Sequence, residues 1–217
     1  MNFSYQNIDT AHSQIKNQII QTPLISNDYI NKKLNSKVLF KLENLQNTGS
    51  FKLRGASYKI SKISEENKKN GVVAYSSGNH AQAVAYASLK QKINCKIIMP
   101  KNAPTIKIEN TKKSLNSGKI LSNEKGHQSI CDAIITPQPG NLTFPINLKN
   151  LEDGIVVNDD EVKNSIKILA EHLKIIVEPG GAVAATAALT EKIDLKNKTV
   201  VVMISGGNID LEMFRSL

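Results

Sequence analysis

Thr48-Gly49-Ser50-Phe51-Lys52-Leu53-Arg54-Gly55 places a lysine between two apolar residues at what reads as the start of a helix. Ser50 is a suitable N-cap, and Leu53, Ala56, Ile60 and Ile63 follow at helical spacing. A lysine set there is poorly solvated. Burial disfavours its charged form and lowers its pKa, and the neutral amine is the species that forms a Schiff base with an aldehyde cofactor. Lys52 is therefore the candidate reactive residue. The competing reading is a surface helix lysine whose stem lies along apolar neighbours while its ammonium stays in water.

Composition narrows the classes open to the chain. Its 217 residues can bury a real core as one large or two small domains, and 40% hydrophobic with 22% charged residues is ordinary for a globular protein. No apolar run approaches the roughly 20 residues that span a bilayer, so no membrane partner is expected. Met1-Asn2-Phe3-Ser4-Tyr5-Gln6 lacks the basic-then-apolar layout of a signal peptide, and a cytoplasmic location is expected. Cys95 and Cys131 are too isolated for a disulfide framework or a zinc site, and are expected to be buried or idle thiols. The net charge of +9 does not point to nucleic acid. Arginine occurs only at Arg54 and Arg215, the lysines are scattered, tryptophan is missing and aromatics are 5% of the chain. In so lysine-rich a chain, an arginine two residues after Lys52 carries weight.

In chain order, residues 8 to 20 read as an amphipathic helix and Ser26 to Leu34 as a second. Val38 to Glu43 reads as a strand leading into the opening stretch, with a helix from Ser50 to about Lys62. Gly71 to Tyr75 is a short strand, Ser76-Ser77-Gly78-Asn79-His80 a small-residue loop, Ala81 to Lys90 a helix and Cys95 to Pro100 another strand. That succession is a βαβ unit, so an α/β protein with parallel-sheet character is expected. Ser114 to Pro145 is rich in glycine and proline and reads as loop. Asn158 opens a helix to Leu173, Ile175 to Glu178 reads as a brief strand, Pro179-Gly180-Gly181 as a turn and Ala182 to Leu189 as a helix. Thr199 to Ile204 is the last strand and runs into Ser205-Gly206-Gly207-Asn208.

Two of these loops carry chemical meaning, because ligands gather at the carboxyl ends of parallel strands. Ser76 to His80 leads directly into a helix, whose amides and positive end suit an anion such as a substrate carboxylate. Ser205 offers a hydroxyl able to hydrogen-bond a heteroaromatic nitrogen. Either loop could equally be a tight turn. His80 alone reads as a packing or capping residue.

Taken together and in order, Ser50-Phe51-Lys52-Leu53-Arg54-Gly55, Ser76-Ser77-Gly78-Asn79-His80, Val177-Glu178-Pro179 and Ser205-Gly206-Gly207-Asn208 resemble the fold type II pyridoxal-phosphate enzymes. The nearest branch is the threonine/serine dehydratase and serine racemase group. The resemblance implies a tryptophan synthase beta-like fold and pyridoxal 5'-phosphate as cofactor. It implies that Lys52 binds the cofactor aldehyde and acts as base at the substrate α-carbon, that Phe51 flanks the cofactor, and that Asn79 bonds its phenolic oxygen. Ser76, Ser77, Asn79 and His80 would surround the carboxylate of a small amino-acid substrate, with Ser77 the opposite-face acid/base if racemisation occurs. Ser205 would meet the pyridine nitrogen and Glu178 would lie close to the ring. The expected reaction is dehydration and deamination of L-threonine or L-serine to a 2-oxo acid and ammonia. A serine racemase, a catalytically inactive remnant or binding module, and a basic nucleic-acid binder are the alternatives, the last disfavoured by composition. A homo-oligomer is a possible assembly.

The chain departs from the family near Lys113 and Ser114, where two segments normally far apart are joined directly. On the order of a hundred residues, a domain's worth, are missing there. The missing part would hold a glycine-rich phosphate cup, and no run of three glycines occurs anywhere in the chain. The carboxylate ligands of the metal found in some members also fall in it, so no metal is expected. Residues 1 to 113 correspond to the lysine-bearing and carboxylate-binding part, and 114 to 217 to the C-terminal part of the cofactor-binding domain. Activity is expected to be impaired by the loss.

Overall fold

The computed structural model describes residues 4–76, 78–98, 129–134 and 139–217. Ser77, the Lys113/Ser114 junction and the end of the strand expected at Cys95 to Pro100 lie outside the described residues. The described residues fall into two compact units. The first gathers those of Met1–Ile25, Phe40–Ala103 and Met203–Asn208, and the second those of Ser26–Leu39, Pro104–Val202 and Ile209–Leu217.

In the first unit, α1 (Tyr5–Ile15) ends five residues before the apolar periodicity does. Tertiary hydrogen bonds explain the early stop. The Gln46 side chain accepts from the Ile20 amide at 2.8 Å and donates to the Ile20 carbonyl at 2.9 Å, holding that residue as a strand neighbour would. The chain then forms β1 (Leu24–Ile25), which pairs antiparallel with the end of β2 (Lys37–Leu42), Ile25 opposite Phe40. Between them, in the second unit, α2 (Asp28–Leu34) is capped by Asn27, whose side chain accepts from the Ile30 amide, and closes at Asn35 in the left-handed region. Alternation along β2 buries Val38, Phe40 and Leu42.

The core of the first unit forms where α3 (Lys52–Ser61) packs on α5 (Asn79–Lys90). Leu53, Ala56 and Ile60 meet Ala83, Val84 and Ala87, and the alanines let the two helices approach closely. A short helix, α4 (Glu65–Lys68), leads into β3 (Val72–Tyr75). β3 runs parallel to β4 (Cys95–Ile98), with Val72 opposite Cys95 and Tyr75 opposite Ile98. The βαβ unit expected from the sequence is therefore present.

In the second unit, α6 (Phe144–Asn150) begins inside the run expected to be loop, with Pro145 in its first turn where a missing amide costs nothing. α7 (Asp159–Leu173) opens with a reciprocal cap: Asn158 accepts from the Glu161 amide and Glu161 accepts from the Asn158 amide. Lys192 also contacts that Glu161 carboxylate at 2.8 Å. Val162, Ile166 and Leu169 are buried, and α7 packs on α8 (Pro179–Leu189).

Two expectations fail at the start of α8. Ile175 to Glu178 is an irregular connection and not a strand, and Pro179-Gly180-Gly181 forms the first turn of the helix and not a separate turn. Packing overrides the turn propensity of the glycines, since a Cβ on Gly180 would stand 3.3 Å from both Ala133 and Ile134 side-chain carbons. The final strand β5 (Thr199–Ile204) completes a sheet of order β1-β2-β5, and α9 (Leu211–Ser216) closes the chain, capped by Asp210.

The cysteines differ from one another. Cys131 is buried, and burial pushes its thiol up to about 11 despite a hydrogen bond from the Ser129 side. Cys95 is exposed and, like Cys131, a free thiol. No helix among the described residues is long and apolar enough to cross a membrane.

Leu53 is fully buried between the two helices that carry the first unit. Leu53→Ala is expected to lower the free energy of unfolding by about 2–5 kcal/mol, read as a lower urea midpoint at unchanged slope.

Candidate functional site

The residues around Lys52 are held by a short antiparallel seam between two loops about 155 positions apart in sequence, both in the first unit. Ser50 pairs with Gly206, the Phe51 amide donates to the Ser205 carbonyl at 3.0 Å, and the Gly207 amide donates to the Gly49 carbonyl at 2.9 Å. Gly49 sits at φ +69°, in the left-handed region open to glycine, and a Cβ there would lie 2.3 Å from Asn208 Oδ1. The expected N-cap role of Ser50 is not realised. Phe51 occupies the cap position in helical geometry, and Ser50 is committed to the seam, its hydroxyl buried without a hydrogen-bond partner. What anchors the start of α3 is thus its backbone, bonded to the Ser205 loop.

Lys52 is the first residue of α3 and is partly exposed, so it is less enclosed than its apolar neighbours suggested. Its Nζ lies 6.0 Å from the Phe51 ring centroid, and Phe51 itself is exposed. Both border a cavity of about 580 Å³ shared with Ala56, Ile60 and Val73, and with His80 from the first turn of α5. An amine therefore opens onto a space with largely apolar walls.

Asn79, the first residue of α5, is buried, and its Oδ1 accepts from Asn208 Nδ2 at 2.8 Å. Ser76 Oγ accepts from the Gly78 amide at 3.2 Å, which shapes the turn into the helix, and His80 is exposed. Phe51, Lys52, Ser76, Asn79, His80 and Ser205 thus all belong to the first unit. Glu178 belongs to the second, where it is buried and its carbonyl accepts the first amides of α8. Ser77 lies outside the described residues.

Beneath α3 is a carboxylate the sequence reading did not single out. Glu43 is almost fully buried, and Arg54 grips it with two bonds, Nε to Oε2 at 2.8 Å and Nη2 to Oε1 at 2.6 Å. Thr22 Oγ1 donates to the same Oε1 at 2.6 Å. Burial by itself would raise the Glu43 pKa. The hydrogen bonds from Arg54 and Thr22, with the charges of Arg54 and Lys41, outweigh it and hold the carboxyl below its ordinary 4.5. The signal available in the sequence was the rare arginine at 54. Asn208 ends the Ser205 loop, and only the fold reveals that it touches both Thr48 and Asn79.

Comparison with known proteins adds to this geometry. A family model described as pyridoxal-phosphate dependent enzyme matches residues 15–114 and again 111–206. The two matches meet at the junction expected near Lys113 and Ser114. The serine racemase of Dictyostelium discoideum is 30% identical over 308 residues, covering 95% of this chain and 95% of that protein. The L-threonine ammonia-lyase of Thermotoga maritima is 28% identical, covering 96% of this chain and 76% of that protein. With 308 aligned positions against 217 residues, at least 91 positions of the Dictyostelium alignment have no counterpart here. Among solved structures, the Dictyostelium serine racemase aligns with a TM-score of 0.81 at 29% identity, over 94% of this chain and 98% of that one. Maize serine racemase aligns with a TM-score of 0.90 at 23% identity, over 100% and 97%, a likeness of fold. The chain therefore has the α/β architecture of these enzymes at a shorter length.

Arg54→Met would leave the Glu43 carboxylate buried with Thr22 as its remaining side-chain donor. A loss of about 3 kcal/mol of stability at pH 7 is expected, the low end for a broken buried pair because Arg54 is 28% exposed. The pH dependence has a definite sign. A depressed carboxylate stabilises the fold above its unfolded value and ceases to do so as pH falls through the folded one, so the Arg54–Glu43 contribution fades below 4.5. Urea unfolding from pH 7 to 3 should show the gap between wild type and variant narrowing below that point.

Proposed function

Because the chain belongs to the family of pyridoxal-phosphate dependent enzymes, we propose that it dehydrates and deaminates L-threonine or L-serine, with Lys52 as its reactive amine. The observation that carries this reading is the seam: it joins the loops of Lys52 and Ser205, its Asn208 bonds Asn79, and Lys52 borders the cavity. The donor set suits the ring end of pyridoxal phosphate: an amine for its aldehyde, an amide for its phenolic oxygen, a hydroxyl for its ring nitrogen. The phosphate end is less well provided, because the chain has no run of three glycines. Bound through its aldehyde, the cofactor supplies a sink for the electron pair left when the substrate α-proton departs.

The chain's own groups then take these tasks. Lys52 Nζ would hold the cofactor aldehyde and, as a free amine, would accept the substrate α-proton. The amides at the start of α5, with Ser76 and His80, hold the substrate carboxylate, for which the positive end of a twelve-residue helix is suited. Phe51 would cover one side of the ring, and the Ser205 hydroxyl would meet the ring nitrogen without fixing a proton there as a carboxylate would. Loss of the β-hydroxyl as water leaves an enamine, and water returning to it yields the 2-oxo acid and ammonia. The net change for threonine is to 2-oxobutanoate and ammonia, with the water balanced. Ser77 and Glu178 keep their proposed roles on sequence likeness. The division into a lysine-bearing part, 1–113, and a C-terminal part of the cofactor-binding domain, 114–217, is likewise proposed.

Serine racemisation is a second reading, favoured by the 30% identity to the Dictyostelium serine racemase. It needs a proton donor on the face opposite Lys52, and Ser77 is proposed for it.

The reading is tested with purified chain and added pyridoxal phosphate. A visible absorbance that is absent from Lys52→Ala, together with 2-oxobutanoate formed from threonine, is the expected result. Chiral analysis of recovered serine separates the two reactions. No absorbance and no product would identify the chain as an inactive family member.

A further inference from the structure

Asn208 makes contacts that neither the fold nor the proposed chemistry has yet explained. Its Nδ2 donates to the Thr48 carbonyl at 2.8 Å and to Asn79 Oδ1 at 2.8 Å, with Gln82 Oε1 a longer neighbour at 3.4 Å. The chemistry of the partners fixes which way both amides face. A backbone carbonyl only accepts, so the Asn208 atom facing Thr48 has to be the NH2 group. An NH2 group only donates, so the Asn79 atom facing it has to be Oδ1, and the NH2 of Asn79 is the end turned away from Asn208.

Gly49 belongs to the same arrangement. A side chain there would collide with Asn208 Oδ1 at 2.3 Å, and the backbone bond from Gly207 to Gly49 holds the loop that carries Asn208 in place. An acceptor-only group, a donor pair and a second amide thus form a chain of constraints that reaches a buried residue at the start of α5.

We propose that Asn208 is a positioning residue that locks the Asn79 side-chain amide in the one orientation able to donate to the phenolic oxygen of pyridoxal phosphate. The proposal rests on the functional reading above. The reversed amide would turn a carbonyl toward an oxygen that carries negative charge, exchanging a charge-assisted bond for repulsion. Asn208 itself touches neither cofactor nor substrate, and its influence passes through Asn79.

Two variants test this. Asn208→Asp keeps the shape and removes the donors, so that Asn79 gains by reversing its amide. Asn208→Ala removes the group and guards against misfolding of the aspartate variant. In cofactor-free protein, the ¹H–¹⁵N side-chain resonances of Asn79 are expected to move in both variants while backbone resonances of α3 and α5 stay in place. In titrations with pyridoxal phosphate followed by visible absorbance, Asn208→Asp is expected to weaken binding about tenfold to a hundredfold, the range for one charge-assisted hydrogen bond. In an Asn79→Ala background the same substitution should change binding less than twofold, because the path through Asn79 is already gone. Equal weakening in both backgrounds, or an unmoved Asn79 resonance in a chain that binds the cofactor, overturns the proposal. If the wild-type chain takes up no pyridoxal phosphate, the functional reading falls and the proposal with it.

Discussion

The antiparallel seam between Thr48–Phe51 and Ser205–Asn208 is the constraint on which the site depends. It consists of backbone bonds, so it requires a particular residue only where the space or the dihedral angles leave no choice. Gly49 is such a place, since its φ of +69° and the nearness of Asn208 both exclude a Cβ. Once the seam is made, the first turn of α3 is fixed in direction and Lys52 faces the cavity. A helix start is ordinarily secured by a polar side chain at the cap. Here the amide of Phe51 is secured by a carbonyl from the far end of the chain, which makes the position of the Lys52 amine a tertiary property.

Arg54 adds a second anchor one half-turn further along α3. Its fork-shaped guanidinium meets both oxygens of the buried Glu43, a geometry that lysine cannot reproduce. A chain that uses lysine almost everywhere else has arginine at the position where a planar bidentate donor is needed. Thr22 satisfies a further lone pair of the same carboxylate, so a buried charge that would otherwise be costly becomes a fixed point joining the β1 approach, the end of β2 and α3. The seam holds the helix by the amide of its cap residue, Phe51, and the ion pair holds it by its third residue.

Much of this was legible from residue spacing. The βαβ unit around Ser76 to His80, the strand leading to Glu43 and the helix opening at Asn158 follow local rules, and the structure contains them. The failures share a cause. Residues 16 to 20 keep helical periodicity, but the Gln46 side chain captures the Ile20 backbone. Pro179-Gly180-Gly181 has turn chemistry, but the close approach of Ala133 and Ile134 makes small residues the right ones for a packed helix start. In each case a partner distant in sequence outbids a local propensity, and a local reading has no access to that partner.

The sequence by itself determined the family and the place of the missing segment, because short ordered motifs and their spacing survive in one dimension. The match of one family model in two parts, meeting at residues 111–114, agrees with that reading of the junction. Only the tertiary structure decided how the motifs act on one another. That Ser50 serves the seam and not the cap, that Glu43 lies beneath Lys52's helix, and that Asn208 sets the face of the Asn79 amide are all matters of direction. Hydrogen-bond direction depends on which donor meets which acceptor in space, and spacing along a chain does not encode it.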